Sequence, residues 1–243
     1  MRLVTYNVLA DKYLEKYGHF YGHVKDRHLL NPGARLGYVV KQINNLEADI
    51  IGLQEADERL VKEFEDDDRW QARWRKKTLE TQPDGCLTLV RRGLEINDYK
   101  SFAYDDNSGH VFQITQIGRL AVVNTHIRWS HPSKPDHAGV AQARQLLDAI
   151  DATIGREPVA ILADINDRPG GPVRALIEEA GFYNVGGNEP TAFVNQRLAA
   201  IDVLAVRGVG RHSIIESKWG SLESIPNKLC PSDHIPIIAD IEE

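Results

Sequence analysis

The residues with the clearest chemical potential lie in the segment 158–169, which reads PVAILADINDRP. An apolar run over residues 159–163 is long enough for a buried strand, and Asp164 and Asn166 follow it. Residues two positions apart on a strand project to the same side, so a carboxylate and a carboxamide are presented together. Divalent cations such as Mg²⁺ prefer oxygen ligands, and an attacking water needs an acceptor, so this pair suits metal-assisted phosphoryl chemistry. Asp and Asn also favour turns, so this segment alone does not distinguish a site from a strand end.

Further polar residues lie in or beside apolar runs elsewhere in the chain, in positions where a buried strand is predicted. They are Asn7 in the strand 2–10, Glu55 after the strand 48–53, His126 in the strand 120–127, Asp202 at the head of the strand 202–206, and Asp233 and His234 before the strand 235–241. Each has a structural explanation when taken singly. If one sheet system gathers them, they form a pocket of carboxylates, amides and two histidines that requires no Ser or Cys nucleophile. Such a pocket is typical of magnesium-dependent hydrolysis at phosphorus.

The remaining periodicity supplies the elements that must position these residues. Apolar side chains at spacings of three and four predict helices over residues 36–46 and 138–154, and shorter helices are predicted over 57–68 and 173–180. Strands are predicted at 86–90 and 111–117, with a turn at Pro83-Asp84-Gly85. Residues 11–33 are expected to be a loop with one short helix, and further loops are expected at 128–136 and around Trp219 and Pro226.

The segment 69–77, RWQARWRKK, is the only strongly basic stretch. It fits an edge strand with Trp70 and Trp74 facing inward and basic side chains facing outward. It also fits a surface that holds a phosphate backbone and stacks bases, with Arg73 and Arg75 as candidate contacts. The sequence leaves both interpretations open.

Composition narrows the class of protein. A chain of 243 residues with 42% hydrophobic residues can bury a substantial core, and we expect a single domain over 1–243. The net charge of −6 argues against a general basic field for coating nucleic acid. Two cysteines, Cys86 and Cys230, are too few for a disulfide framework or a cysteine zinc site. No signal peptide or membrane span is recognisable, so we expect a cytoplasmic protein.

Five ordered motifs resemble the endonuclease/exonuclease/phosphatase superfamily, which includes DNase I and exonuclease III. They are TYNVLA around Asn7, IIGLQE at Glu55, NTH at His126, ADINDRP at Asp164 and SDHIP at Asp233. The longer stretches TYNVLAD, DGC, THIRW and SDHIPI are similar to the branch containing the CCR4 deadenylases, nocturnin, the angel proteins and the 2′-phosphodiesterases. Two departures stand out: Ala163 replaces a Gly that is usual in the family, and Arg128 stands where a second His is common.

The resemblance implies an α/β fold of four layers, with two packed, mostly antiparallel β-sheets flanked by helices, as in DNase I. It also implies Mg²⁺, for which Mn²⁺ could substitute, held by Glu55 with Asn7 nearby. Asp233 or Asp164 would complete a second metal position when substrate is bound.

The same resemblance implies roles in hydrolysis. Asp164, steadied by Asn166, would orient and deprotonate the attacking water. Asp202 would keep the His234 imidazole charged, so that His234 and His126 stabilise the non-bridging phosphate oxygens. Further candidate contacts with substrate are Arg128 and Trp129 of the THIRW motif, together with Arg73 and Arg75.

The first functional reading is a Mg²⁺-dependent phosphodiesterase acting on RNA, as a 3′ exoribonuclease. The alternative is an RNA-end or small-nucleotide phosphatase, for example one that opens 2′,3′-cyclic phosphates. An acidic chain leans towards a short substrate, because long polyanions bind through the release of many counterions. A non-catalytic binding module is the third possibility. We expect a monomer whose partner is RNA or a nucleotide, with no membrane and no obligate protein partner.

Overall fold

Two six-stranded sheets pack face to face in the computed structural model, which describes residues 1–131, 137–215 and 221–242. In spatial order, the first sheet contains β13 (His212–Ile214), β14 (Ile237–Ile241), β1 (Arg2–Asn7), β2 (Ile50–Asp57), β4 (Asp84–Arg91) and β3 (Trp70–Lys76). The second contains β5 (Ile96–Ala103), β6 (Val111–Ile117), β7 (Leu120–His126), β8 (Val159–Asp164), β12 (Asp202–Arg207) and β9 (Tyr183–Asn184). A separate hairpin is formed by β10 (Ala192–Val194) and β11 (Arg197–Ala199).

The structure describes five α-helices and three 3₁₀ turns. They are α1 (Asp11–Lys16), α2 (Leu36–Asn44), α3 (Glu58–Glu65), α4 (Ala138–Ile154) and α5 (Pro172–Glu179), with 3₁₀ turns at Gly18–Tyr21, Arg27–Leu30 and Leu222–Ser224. α2 and α3 pack on the first sheet, and α4 and α5 pack on the second. Two strand pairs, β1 with β2 and β7 with β8, are parallel, and the other described pairs are antiparallel. The predicted four-layer, mostly antiparallel sandwich is confirmed.

Strand alternation carries the polar residues to the space between the sheets. In β1, Val4 and Tyr6 pack towards the helices, whereas Leu3 lies in the apolar layer between the two sheets. Successive side chains alternate, so Asn7 faces the second sheet. In the second sheet the same alternation applies, because Ile161 packs against the helices and Leu162 between the sheets. At one end of the strands, the side chains that face the opposite sheet are polar. They are Asn7, His126, Asp164 and Asp202.

Strand register then brings three of these residues side by side. β8 lies between β7 and β12, and Asp164 is the register partner of both His126 and Asp202. The first sheet presents Asn7 to the same place from across the sandwich. The core therefore ends in a polar cluster at one edge of the two sheets.

Most predicted elements are present, and the differences have physical reasons. Asp84 and Gly85 belong to β4 rather than to a turn, because Gly85 packs on the Arg75 carbonyl where a Cβ would collide. β5 carries few apolar residues and escaped prediction; it is held by pairing with β6. Residues 11–33 contain α1 and two 3₁₀ turns. Residues 132–136 of one predicted loop, and Trp219 of another, lie outside the described residues.

None of the helices in the described ranges combines the length and the hydropathy that a bilayer-spanning helix requires.

Candidate active site

Glu55 reaches the polar cluster through an irregularity in β2. Leu53 packs towards the helices, and alternation would send Glu55 the same way. The pairing of β2 with β4 shifts register between Leu53 and Ala56, and Glu55 has a φ of 60°. A β-bulge of this kind re-aims a side chain, and non-glycine residues in the left-handed region concentrate at functional sites. The carboxylate of Glu55 accordingly reaches Asn7, and its other oxygen, Oε2, accepts from the backbone N–H of Ala10 at 2.9 Å.

Asn7 links the two sheets through its amide. Its Nδ2 donates to Oε1 of Glu55 at 3.0 Å and to Oδ2 of Asp164 at 2.9 Å, while its Oδ1 accepts from the Leu9 amide at 3.0 Å. The Leu9 contact fixes the amide orientation, because only the oxygen can accept. The Asn7 oxygen predicted as a metal ligand is thus committed to the backbone here, and direct ligation would require it to be shared or released.

Asp164 is a buried carboxylate with two engaged oxygens. Oδ2 accepts from Asn7, and Oδ1 accepts from the backbone amide of Asn166 at 2.9 Å. Burial raises its pKa, and the negative charge of Asp202 raises it further, to about 7. A carboxylate with a pKa near neutrality can accept a proton at physiological pH, as a general base must.

Asn166 and His126 form a directly bonded pair beside Asp164. The Asn166 Nδ2 group lies 2.9 Å from Nε2 of His126 and donates its other hydrogen to the Ile127 carbonyl at 3.0 Å. His126 Nε2 is therefore the acceptor, and a neutral ring carries its hydrogen on Nδ1. Burial, and then the charge of Lys77, holds the pKa of His126 well below its usual value. The Nδ1 atom has no hydrogen-bond partner in the described structure and lies 3.9 Å from Oε1 of Glu55.

His234 differs from His126 because it is paired with a carboxylate. Its Nδ1 lies 2.9 Å from Oδ2 of Asp202, and Thr191 donates its hydroxyl hydrogen to the same oxygen at 2.6 Å. Burial alone would lower the pKa of His234, but the charge of Asp202 and the hydrogen bond to it raise the pKa well above its usual value. The Nε2 atom of this imidazolium lies 3.8 Å from Oδ2 of Asp164. Two histidines of opposite protonation state thus flank Asp164.

Asp233 precedes His234 and is fixed by an aromatic hydroxyl. Tyr21, in the first 3₁₀ turn, donates to Oδ2 of Asp233 at 2.8 Å. The other oxygen, Oδ1, is buried and has no hydrogen-bond partner among the described residues. Ser232 ties this segment to β1, because its hydroxyl donates to the Asn7 carbonyl at 2.7 Å.

Two groups of residues could hold a divalent cation. Asp164, Asp202 and His234 offer ligand atoms within 4.8 Å of one another. In that group, however, Asp202 is already bonded to His234 and Thr191. Glu55 fits a cation better, because burial and the nearby charge of Asp84 raise its pKa to about 7 even though the charge of Lys77 opposes them. The unpartnered oxygen of Asp233 is a second candidate ligand, and the charge of Asp233 also raises the pKa of Glu55.

A buried ion pair behind Glu55 was missed by the sequence analysis. Lys77 Nζ lies 2.6 Å from Oδ2 of Asp84, and Tyr13 contacts both, with its hydroxyl 3.2 Å from Nζ and 3.1 Å from Oδ1. Burial opposes the charge of Lys77, but Asp84 outweighs it and raises the pKa. The DGC motif contained the only signal for Asp84, and Lys77 lay at the end of a segment that could be explained as a solvated face.

The predicted substrate contacts are separated by the fold. Arg128 and Trp129 lie two and three residues after His126 and are exposed, with 61% of Trp129 accessible. Arg73 and Arg75 lie on the edge strand β3, whose Trp70 and Trp74 pack inward as the edge-strand interpretation predicts. The two arginines alternate away from those tryptophans towards β5 and β6, where Gln113 bonds the Arg73 carbonyl. The cluster itself receives Lys77 from this segment.

Comparison with known proteins now decides the family. The model of the endonuclease/exonuclease/phosphatase family matches residues 4–234. The chain belongs to this family. Membership confirms the predicted superfamily and the predicted class of enzyme, a hydrolase of phosphate ester bonds.

Individual family members show similarity at the level of sequence and of fold. The chain is 25% identical to human protein angel homolog 2 over 210 residues, which are 76% of this chain and 38% of that protein. The mouse protein is 25% identical over 248 residues, covering 89% and 45% respectively. The chain thus spans less than half the length of these relatives.

Solved structures show the same fold at lower identity. The crystal structure of ANGEL2, described as a 2′,3′-cyclic phosphatase, aligns with a TM-score of 0.80 and 18% identity, over 99% of this chain and 94% of that chain. The human nocturnin catalytic domain with bound sulfate aligns with a TM-score of 0.70 and 17% identity, over 99% and 93%. ANGEL2 has also been crystallised with adenosine-2′,3′-vanadate.

Proposed function

We propose that this family member is a Mg²⁺-dependent hydrolase that acts on phosphodiesters at the 3′ ends of RNA, with 2′,3′-cyclic phosphate ends as its first substrate. The observation that carries the proposal is the position of Asp164. Its carboxylate has a pKa near 7 and lies between a neutral His126 and a charged His234. Nε2 of the charged His234 lies 3.8 Å from this carboxylate, so a proton acceptor and a positively charged donor lie together, as hydrolysis at phosphorus needs.

The protein's own residues would divide the work as follows. Asp164, oriented by Asn7 and the Asn166 amide, accepts the proton of the attacking water. As the water oxygen bonds to phosphorus and a ribose oxygen departs, charge builds on the non-bridging oxygens. The imidazolium of His234 would stabilise that charge, and Asp202 keeps it protonated. The neutral His126 can donate only from Nδ1.

The metal position would be formed by Glu55 and Asp233, with Asn7 as the predicted additional ligand. A divalent cation bound there would neutralise phosphate oxygens and stabilise the departing ribose oxygen. Mg²⁺ suits carboxylate oxygens, and Mn²⁺ should substitute for it. Because both sheets contribute to the site, we further propose that residues 1–243 act as one domain. We also propose that it works as a monomer in the cytoplasm, with no obligate protein partner.

The similarity to ANGEL2 in sequence and in fold supports the cyclic phosphate as the first substrate to test. The acidic net charge supports it, because one terminal nucleotide requires little counterion release for affinity. Processive 3′ exoribonuclease activity is the second candidate. It is favoured by Arg128 and Trp129, which are exposed beside His126 and could hold a second nucleotide through its phosphate and base.

One experiment separates these activities. The protein is incubated with Mg²⁺ and 5′-labelled oligonucleotides: RNA with a 2′,3′-cyclic phosphate end, RNA with a 3′-hydroxyl end, poly(A) and DNA. We expect an end-group change without shortening on the cyclic substrate. A ladder from the 3′ end would establish the exoribonuclease instead, and inactivity on all four would refute both. Asp164→Asn should abolish the signal, whereas Asp148→Asn, an exposed carboxylate on α4, should retain it.

A further inference from the structure

His110 is a third histidine next to the site and has no part in the chemistry described above. It immediately precedes β6, and only 8% of it is exposed. Its ring packs edge-on against that of His126, with centroids 5.6 Å apart and planes at 88°. A phenylalanine could provide this packing equally well, so the question is what the two ring nitrogens do.

A chain of hydrogen bonds runs from Gln142 through Ser108 to His110, and the amide of Gln142 fixes which groups donate and which accept. Gln142, on α4, accepts the backbone N–H of Arg128 at 2.8 Å, so its side-chain oxygen is identified. Its Nε2 group must then be the donor in its two other contacts. These run to Oδ2 of Asp106 and to Oγ of Ser108, both at 2.9 Å.

The hydroxyl group of Ser108 in turn fixes which atom donates in its contact with the His110 ring. Its hydroxyl oxygen accepts from Gln142 and from the backbone N–H of His110 at 3.2 Å, which uses both lone pairs. The hydroxyl hydrogen is left to donate to Nδ1 of His110, also at 3.2 Å. Burial, and then the charge of Lys77, lowers the pKa of His110 to about 3, so the ring is neutral. A neutral ring that accepts at Nδ1 carries its hydrogen on Nε2.

The Nε2–H group is a donor without an acceptor among the residues that the structure describes. No side chain or backbone oxygen in the described ranges bonds to it, and the atom is not sealed from solvent. The charges of Lys77 and Arg128 lower the pKa of His110, and the charge of Asp106, which opposes them, is bonded to Gln142. A phosphate oxygen has the charge and the lone pairs that this position lacks.

We propose that His110 is a substrate-binding residue whose Nε2–H donates to a non-bridging oxygen of the reacting phosphate. Ser108 and Gln142 are positioning residues that hold it in the required tautomer. The inference rests on the proposed function for the identity of the phosphate. The tautomer and its response to a phosphate ligand can be measured without turnover.

The first test is ¹⁵N-histidine NMR of the metal-free protein, with the His110 signals assigned by their loss in His110→Phe. We expect the Nε2–H tautomer, and a shift of the Nε2 resonance when adenosine 3′-monophosphate is added. Ser108→Ala should produce a mixture of tautomers. An Nδ1–H tautomer, or an Nε2 signal that does not respond to the nucleotide, would overturn the proposal whether or not the protein turns over any substrate.

The second test uses variants that separate packing from donation. His110→Phe keeps an aromatic edge against His126 and removes the donor, so kcat/KM should fall by about 10- to 100-fold. His110→Gln carries an amide close to the Nε2 position and should recover part of the loss. The matched control is His19→Phe, at an exposed histidine, which should be neutral. The proposal is wrong if His110→Phe retains the activity of the unmodified protein.

The substrate for this comparison should be adenosine 2′,3′-cyclic monophosphate, which contains only one phosphate. A loss confined to longer RNA would contradict contact with the reacting phosphate. If the unmodified protein hydrolyses none of these substrates, the proposed function fails, and the NMR titration alone decides whether His110 binds phosphate.

Discussion

Lys77 Nζ lies 2.6 Å from the Asp84 carboxylate, and the side chains of the two residues are only 2% and 0% exposed. Breaking a buried pair by removing one partner is costly, because the remaining charge has no water to replace it. This pair also lies behind Glu55, whose pKa responds to both charges. The pair therefore affects both the stability of the fold and the ionisation of the predicted metal ligand.

We expect Lys77→Met to lower the free energy of unfolding by roughly 3–5 kcal/mol, measured by urea denaturation. The neighbouring residue provides the control, because Lys76 pairs with Glu58 at 2.9 Å on the surface, where the side chains are 42% and 68% exposed. Lys76→Met should cost less than about 1 kcal/mol. Equal losses of unfolding free energy in the two variants would show that the buried Lys77–Asp84 pair stabilises the fold no more than the surface pair does.

Asp164→Asn should reduce kcat by about 10³-fold or more while leaving the thermal midpoint unchanged or raised. Burial and the charge of Asp202 disfavour the ionised form of Asp164. Replacing the carboxylate by an amide therefore removes an unfavourable charge together with the base. Activity and differential scanning calorimetry on the same preparation test both statements. Turnover near that of the unmodified protein would exclude Asp164 as the base.

The contribution of Glu55 and Asp164 to the stability of the metal-free protein should fall as pH rises from about 4 to 7. Folded Glu55 and Asp164 have pKa values of about 7, above those of the unfolded chain, so the folded state binds more protons in this interval. The stabilising protons are fully present below pH 4 and are lost as pH rises through 7. The lowered pKa values of His110 and His126 act in the opposite direction, so the test is the difference in thermal midpoint between the unmodified protein and Glu55→Gln in EDTA, which should change in favour of Glu55→Gln as pH rises through 7.

Adding Mg²⁺ at pH 8 should raise the thermal midpoint of the unmodified protein, because a bound cation would compensate the negative charge of the buried Glu55 carboxylate. Glu55→Gln should respond much less. A midpoint that ignores Mg²⁺ over millimolar concentrations, or activity that survives EDTA, would contradict the proposed metal position.

Thr191→Val should reduce kcat by roughly 5- to 20-fold with little change in KM, because Asp202 loses one of the bonds that orient it towards His234. Valine keeps the shape of threonine, so packing is preserved. Thr191→Ser retains the hydroxyl and should restore most of the rate. If the valine and serine variants behave alike, the hydroxyl has no positioning role.

The sequence predicts the site best where strand alternation alone places a side chain. Asp164, His126 and Asp202 follow from apolar runs of the correct parity, and the four-layer fold follows from the family motifs. Glu55 was identified by its motif, but the bulge that turns it into the cluster could not be deduced. Its parity predicts the opposite face, and a φ of 60° leaves no compositional trace.

Other residues escaped because their partners are remote in sequence. Asp233 owes its orientation to Tyr21, 212 residues away, and the sequence around Tyr21 shows no helical or strand periodicity. His110 gave no signal, because its bonding depends on Gln142 of another element. Contacts between side chains that are distant in sequence therefore could not be predicted from one sequence.

The placement of β1 between β2 and β14 sets a condition on synthesis. Asn7 is translated before the segment that fixes it, Ser232 to His234, because Ser232 lies 225 residues further along the chain. The candidate site therefore cannot assemble while that segment is still unmade, whatever secondary structure has formed by then. A chain truncated before β14 would lack the strand that pairs with β1, so we expect it not to form the site.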